Sequence, residues 1–272
     1  MEPKMDIDGT GANDTATLTV QRVVHACVLL DFLGGAKILT DPWFSQKGGF
    51  PAYYWGEPLG VALGDLPRLS GVISSHGHYD HYDIEAFAAY PDKAVPFAVK
   101  RGTGEKARSV GFENVSELDP WETVELGAVR VTAAPAKHGV AENTYVLEAG
   151  GFTVFFGADT LLIPELGEVA ERFPKIDLAL LAINGLRIRP LLNRQVVMSA
   201  REAAELVEIL NPRFAVPIHY RFTGGAVGDR VLLKYEGTPE EFKREASLRT
   251  PRTEVRVLAP GDLFEVPREE TR

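Results

Sequence analysis

The sequence predicts a mixed α/β fold, and three observations carry that expectation. Three β-type runs lie between Ala16 and Thr40, and the second half alternates β-runs with capped helices. Residues of metal-binding type also follow repeatedly on the end of a β-run.

The opening runs are Thr17-Leu18-Thr19-Val20, Val28-Leu29-Leu30-Asp31-Phe32 and Ala36-Lys37-Ile38-Leu39-Thr40, with Gly34-Gly35 as a hairpin signal between the last two. Residues 1–15 are polar and rich in Gly and Asp, which reads as a flexible tail. No linker-like shift in composition follows, so 16–272 reads as a single domain. Residues 42–58 are irregular and aromatic, with Trp43, Phe44, Phe50, Tyr53, Tyr54 and Trp55. Three roles stay open for this loop: pocket wall, subunit contact in a homo-oligomer, or cover for a sheet edge.

Gly71-Val72-Ile73 reads as a short buried strand, and Asp83 as the cap of a helix through Ala86, Phe87 and Ala89, with Glu85 in its first turn. Ala94–Val99 is the next strand and 100–110 a helix, whose Gly102-Thr103-Gly104-Glu105-Lys106 lacks the full spacing of a phosphate loop. Val129–Ala134 is a strand leading to His138, and Thr144–Glu148 pairs with Phe152–Phe156 around Gly150-Gly151 before Asp159. A helix over Pro164–Phe173 is stopped by Pro174, and Asp177–Ile183 is a continuous apolar strand. A long loop, 184–198, precedes a helix opened by Ser199 with Glu202 three residues on, a capping box. Arg213–Ile218 is a strand ending at His219, and Thr238-Pro239-Glu240-Glu241 opens the last helix. Val255–Val257 and Leu263–Val266 close the chain as strands around Pro260-Gly261.

Composition excludes several classes. With 45% hydrophobic and 25% charged residues the chain is ordinarily globular, and a net charge of -9 offers no basic field for nucleic acid. Its one cysteine, Cys27, lies in an apolar run, so it reads as a buried thiol with no intrachain disulfide. No apolar run reaches the roughly 18 residues of a membrane span, and no signal peptide is visible, so no transmembrane segment and a cytoplasmic location are expected.

The chemistry concentrates at Ser74-Ser75-His76-Gly77-His78-Tyr79-Asp80-His81-Tyr82-Asp83, a loop at a strand's C-terminal end. Imidazole nitrogen and carboxylate oxygen together suit borderline-soft metals such as zinc. His76, His78, Asp80 and His81 supply four such ligands, enough to share between two neighbouring ions. His138, Asp159 and His219 each follow a further β-run, and strand ends on one rim of a sheet sandwich can converge.

This order, His-x-His-x-Asp-His, then His, Asp and His, resembles the metallo-β-lactamase fold superfamily from about Thr17 to Val266. The resemblance implies a four-layer αββα sandwich holding two divalent ions, zinc foremost with manganese or iron as alternatives. By position, His76, His78 and His138 hold one ion, Asp80, His81 and His219 the other, and Asp159 bridges both. Asp41 matches an early aspartate that supports a ligand histidine from behind. Asp159 stands where true β-lactamases often carry cysteine, which points to hydrolases with a bridging carboxylate. Asp41-Pro42-Trp43-Phe44-Ser45, Phe155–Thr160 and Pro217-Ile218-His219-Tyr220 look like the branch containing L-ascorbate-6-phosphate lactonase and N-acyl-phosphatidylethanolamine-hydrolysing phospholipase D. His25-Ala26 is similar to that branch's Gly-His-Ala, with Val24 in place of the glycine, and His25 is expected behind the ligands or facing substrate.

The implied function is hydrolysis by a metal-bridging hydroxide, with Asp80 orienting it or passing a proton. The expected substrate is a small phosphorylated lactone or ester, or a phosphodiester. Ala182-Ile183-Asn184-Gly185 and the loop after it look more like the lactonase, which puts Asn184 among the expected substrate contacts. Arg187, Arg189, Arg194 and Arg221 are candidates to clamp the phosphate, or else surface ion pairs. Two alternatives are a mononuclear iron thiol or persulfide dioxygenase and a metal-dependent nuclease. The complete second ligand set opposes the first, and the net charge opposes the second.

Overall fold

A computed structural model describes residues 17–46 and 53–269; the expected N-terminal tail and Phe50 fall outside them. The apolar β-runs assemble into two seven-stranded sheets. In spatial order the first contains Leu263–Pro267, Thr17–Val24, Cys27–Phe32, Ala36–Thr40, Gly71–Ser74, Phe97–Lys100 and Val115–Leu118. The second contains Glu254–Val255, Phe214–Ile218, Leu178–Ala182, Phe152–Phe156, Thr144–Ala149, Val129–Ala134 and Thr123–Leu126.

Strand alternation sorts the buried side chains into layers. Leu30, Ile38, Ile73, Val131, Phe156, Leu180 and Val216 share one core between the sheets. Their neighbours point the other way: Val72 packs with Phe87 and Ala107 beneath the helices Ile84–Phe87 and Gly104–Ser109. Leu181 packs with Leu206, Val207 and Phe242 beneath Ala200–Leu210 and Pro239–Arg249. The result is the expected αββα sandwich. Each fully buried Leu or Val contributes about 1.5–3 kcal/mol. Ser199 accepts from the Glu202 amide while Glu202 accepts from the Ser199 amide, so the capping box forms as read.

Topology decides what meets at the rim. Ala36–Thr40 and Gly71–Ser74 are parallel, as are Phe152–Phe156, Leu178–Ala182 and Phe214–Ile218, so Asp41, His76, Asp159 and His219 all emerge at C-terminal strand ends. Two antiparallel steps bring Val129–Ala134 into the same direction, which adds His138. The two-residue turn His25-Ala26 between Val24 and Cys27 lies at this rim too, because Cys27–Phe32 runs antiparallel to Ala36–Thr40. Here the backbone is strained: His25, Asp41, Ala158 and His219 all have positive φ, at 55°, 34°, 44° and 55°. Each such residue costs of order 1 kcal/mol or more, which surrounding structure must offset.

Near the site, Asp83 and the loop 184–198 differ from expectation. Asp83 occupies the N-cap position but makes no capping bond; its Oδ2 accepts from the amides of Phe44 and Ser45 and from Ser45 Oγ, tying down the aromatic loop. The loop 184–198 is partly ordered: Arg187–Ile188 pairs with Arg194–Gln195 and with Leu233–Lys234 as a small three-stranded sheet. Among the described residues no helix is long and apolar enough to cross a membrane.

Candidate metal centre

The histidine loop is folded back on itself by its own hydrogen bonds. The amides of His81 and Tyr82 donate to the His78 carbonyl at 3.1 and 2.8 Å, and Ser74 Oγ donates to the carbonyls of His76 and His81. This turn aims His76 Nε2 and His78 Nδ1 at one point, 2.8 Å apart, and His138 Nε2 arrives 3.3 Å from His78 Nδ1. Nitrogens bound tetrahedrally at about 2.0–2.1 Å from zinc lie about 3.3 Å apart, so this trio already has ligand-like spacing. His138 Nδ1 donates to the Val196 carbonyl at 2.7 Å, which fixes the tautomer that leaves Nε2 free to ligate.

A second group forms from His25, Asp80, His81 and His219, whose ligand atoms all lie within 4.8 Å of one another. Asp159 stands between the groups: its Oδ2 is 3.0 Å from His219 Nε2, 3.2 Å from His81 Nε2 and 3.9 Å from His138 Nε2. All seven sequence-designated ligands are thus brought together. His25 is closer than expected, with Nε2 3.4 Å from Asp80 Oδ2 and its ring 3.9 Å from that of His219.

Electrostatics within the cluster favour a cation. Burial, together with neighbouring imidazoles, pushes His76 and His78 down to about 3, so both are neutral with lone pairs available. His25 goes to about 3 through burial and the nearby His219. His81 moves the other way: burial opposes its charge, but Asp159, Asp80 and the bond to Asp41 outweigh burial and hold it well above the usual imidazole range. Burial likewise disfavours the charge on Asp159, yet His219 and His81 hold its carboxyl well below the usual range. Asp80 Oδ1, Asp159 Oδ1 and both ring nitrogens of His25 are buried without a hydrogen-bond partner. Orphaned polar atoms, two carboxylate oxygens among them, around a point that attracts positive charge fit divalent ions.

Behind the ligands, Asp41 holds His81 Nδ1 at 2.6 Å and accepts from the amide and hydroxyl of Ser75, both at 2.7 Å. A carboxylate so placed would orient a candidate ligand histidine. Glu142, which had no sequence signal, lies close behind His76, whose Nδ1 is hydrogen-bonded to Ser75 Oγ at 2.9 Å. Fully buried, it places Oε1 3.1 Å from His76 Nδ1 and accepts from the Asp159 amide at 2.9 Å. Burial, with Asp159 adding to it, pushes the carboxyl up to about 8. Glu142→Gln is expected to weaken metal affinity about tenfold or more while the fold persists. Competition with a chelator measures this; unchanged affinity would deny Glu142 a part in holding the centre.

Above the cluster opens a cavity of 390 Å³, with His78, Asp80, His138, Asp159 and His219 on its polar side. Tyr53, held by Tyr79 Oη to its backbone carbonyl at 2.7 Å, forms part of the wall. Trp43 is buried against His25. The described part of the aromatic loop is therefore pocket wall and cover.

The expected substrate contacts are placed elsewhere. Asn184 is buried and accepts from the Leu186 amide through Oδ1, and its carbonyl accepts from Glu236 and Gly237, so it shapes the loop. Arg187 is bonded to Glu236, Gln195 and the Asn193 carbonyl. Arg189 donates to the Leu233 carbonyl at 2.9 Å, Arg194 is exposed, and the Arg221 guanidinium sits 6.0 Å from the Tyr220 ring centroid. None of the five lines the cavity.

Known proteins share both sequence and fold with this chain. A family model described as a beta-lactamase superfamily domain matches residues 36–220. A UPF0173 metal-dependent hydrolase of Rubrobacter xylanophilus is 30% identical over 252 residues, covering 88% of this chain and 92% of that one. Among solved structures, an isothiocyanate hydrolase from Delia radicum gut bacteria superposes with a TM-score of 0.72 at 20% identity, covering 92% of this chain and 100% of that one. A metallo hydrolase from Ignicoccus hospitalis gives 0.71 at 19%, covering 93% and 100%. The family match over most of the chain, on the strand ends that carry the His/Asp cluster, identifies the chain as a member of the metallo-β-lactamase superfamily.

Proposed function

We propose that this chain is a metal-dependent hydrolase working through two divalent ions, zinc foremost, on a carboxylic ester or lactone. One observation carries the reading: two groups of nitrogen and oxygen ligands converge on one rim and share Asp159 between them. The relative from Rubrobacter xylanophilus, itself a metal-dependent hydrolase by name, supports the same reaction class. When bound, such ions polarise the scissile carbonyl and activate a water at neutral pH.

The chain's own groups supply the rest. His76, His78 and His138 would hold one ion, and His81, His219 and Asp80 the other, with Asp159 reaching both. His25, packed on His219 and facing Asp80, restrains both ligands from behind. Asp80 faces the cavity, so it can hold the attacking water in line and take its proton. Tyr53 and the apolar walls keep bulk water from the reacting carbon. A phosphorylated substrate is less well supported, because no arginine reaches this cavity among the described residues.

Element analysis of protein saturated with metal and then desalted should find about two ions per chain, since seven ligand residues exceed one tetrahedral shell. Saturation at one ion would sink the dinuclear mechanism.

A further inference from the structure

Opposite the polar side, the cavity is walled by Leu186, Ile188, Leu191, Val196, Leu232 and Leu233. Strand register explains why this wall is apolar in a segment so rich in arginine. Ile188 faces Leu233 across the small sheet, and residues directly opposite share a face. The next pair, Arg187 and Lys234, therefore projects to the other face, where both meet Glu236. Arg194 lies across from Ile188 and shares its face, but on the outer strand, where it is exposed and outside the cavity wall. The small sheet is thus a lid with a charged top and an underside that is apolar where it covers the cavity, with Arg194 at its outer edge. Apolar surface continues to the mouth, where Val140 and Leu191 both line the cavity and remain 43% and 57% exposed.

No Arg or Lys among the described residues lines this space. A charged substituent placed under the lid would lose its hydration with no charged partner among these wall residues to replace it. An alkyl chain placed there would leave water at no such cost. At 390 Å³ the cavity is in the range that encloses small organic ligands. We infer that the part of the substrate remote from the scissile bond is an uncharged apolar chain bound under this lid, so that the preferred substrates are acyl esters or alkyl-substituted lactones. The inference rests on the hydrolase reading above and adds the substrate class to it.

The test uses metal-loaded protein and two homologous series. With p-nitrophenyl esters from acetyl to octanoyl, kcat/KM is expected to rise about fourfold per methylene until the cavity fills. With straight-chain alkan-1-ols, calorimetry is expected to show affinity growing with length and an increasingly negative heat capacity. Ile188→Ala should flatten both slopes. Chain-dependent alcohol binding without ester hydrolysis would uphold the apolar site and sink the proposed hydrolysis. Ester hydrolysis indifferent to chain length, or faster on a phosphorylated analogue, would overturn the apolar site and leave the hydrolase reading standing. Neither binding nor hydrolysis would overturn both.

Discussion

Asp159→Asn is expected to lose both bound ions and at least about a thousandfold in turnover, on the scale of the several kcal/mol that metal Lewis acidity contributes. Asp159 lies in reach of both ligand groups, with Oδ2 3.2 Å from His81, 3.0 Å from His219 and 3.9 Å from His138. Asparagine preserves its volume but removes a charge and turns one oxygen into a donor pointed at imidazoles. The backbone should tolerate the change, because the Asp159 amide keeps its bond to Glu142. By contrast, His219→Ala should strip chiefly the ion held with Asp80 and His81, leaving the three-histidine group near His78 loaded. Element analysis beside circular dichroism separates the two variants. Two ions retained in Asp159→Asn would remove the bridging role and, with it, the shared-carboxylate mechanism.

How much of this was legible beforehand depends on where the information lies in the chain. His76, His78, Asp80 and His81 are local: a tight turn after a strand shows both the ligands and the means of aiming them. His138, Asp159 and His219 were legible because each follows a recognisable apolar run, and parallel strands deliver their ends to one rim. Val115–Leu118 and Thr123–Leu126 were not recognised, since the alternation in each covers only four residues. Glu142 lay beyond sequence reading because its role exists only through contacts with His76 and Asp159, far along the chain. For the arginines, composition left a phosphate clamp and surface ion pairs both open. Their density in 184–198 suggested a phosphate clamp, but two-residue strands set a parity that turns Arg187 away from the cavity and Ile188 toward it. Asp83 shows the same limit at shorter range. Its position before the helix is legible in the sequence, while its carboxylate accepts from the amides of Phe44 and Ser45.

Asp80→Asn is expected to keep the fold and most of the metal yet lose about a hundredfold or more in kcat. Asp80 is a ligand candidate that also faces the cavity, so its free oxygen is placed to meet a reacting water. Its carboxyl is held below the usual range: burial disfavours the charge, but His81 and His25 outweigh burial. Asp80 is therefore an anion across the neutral range, able to accept a hydrogen bond and a proton in the transition state. Asparagine keeps the shape and one acceptor oxygen, so the loss should fall on kcat, with KM for a neutral ester little changed. Metal content must be measured on the same preparation, because a variant that merely sheds an ion would also be slow. Adding excess metal distinguishes these cases: recovered turnover marks Asp80 as a ligand only. Persistent loss at full occupancy marks it as the group that handles the proton. Turnover within a few-fold of wild type at equal metal content would rule out both.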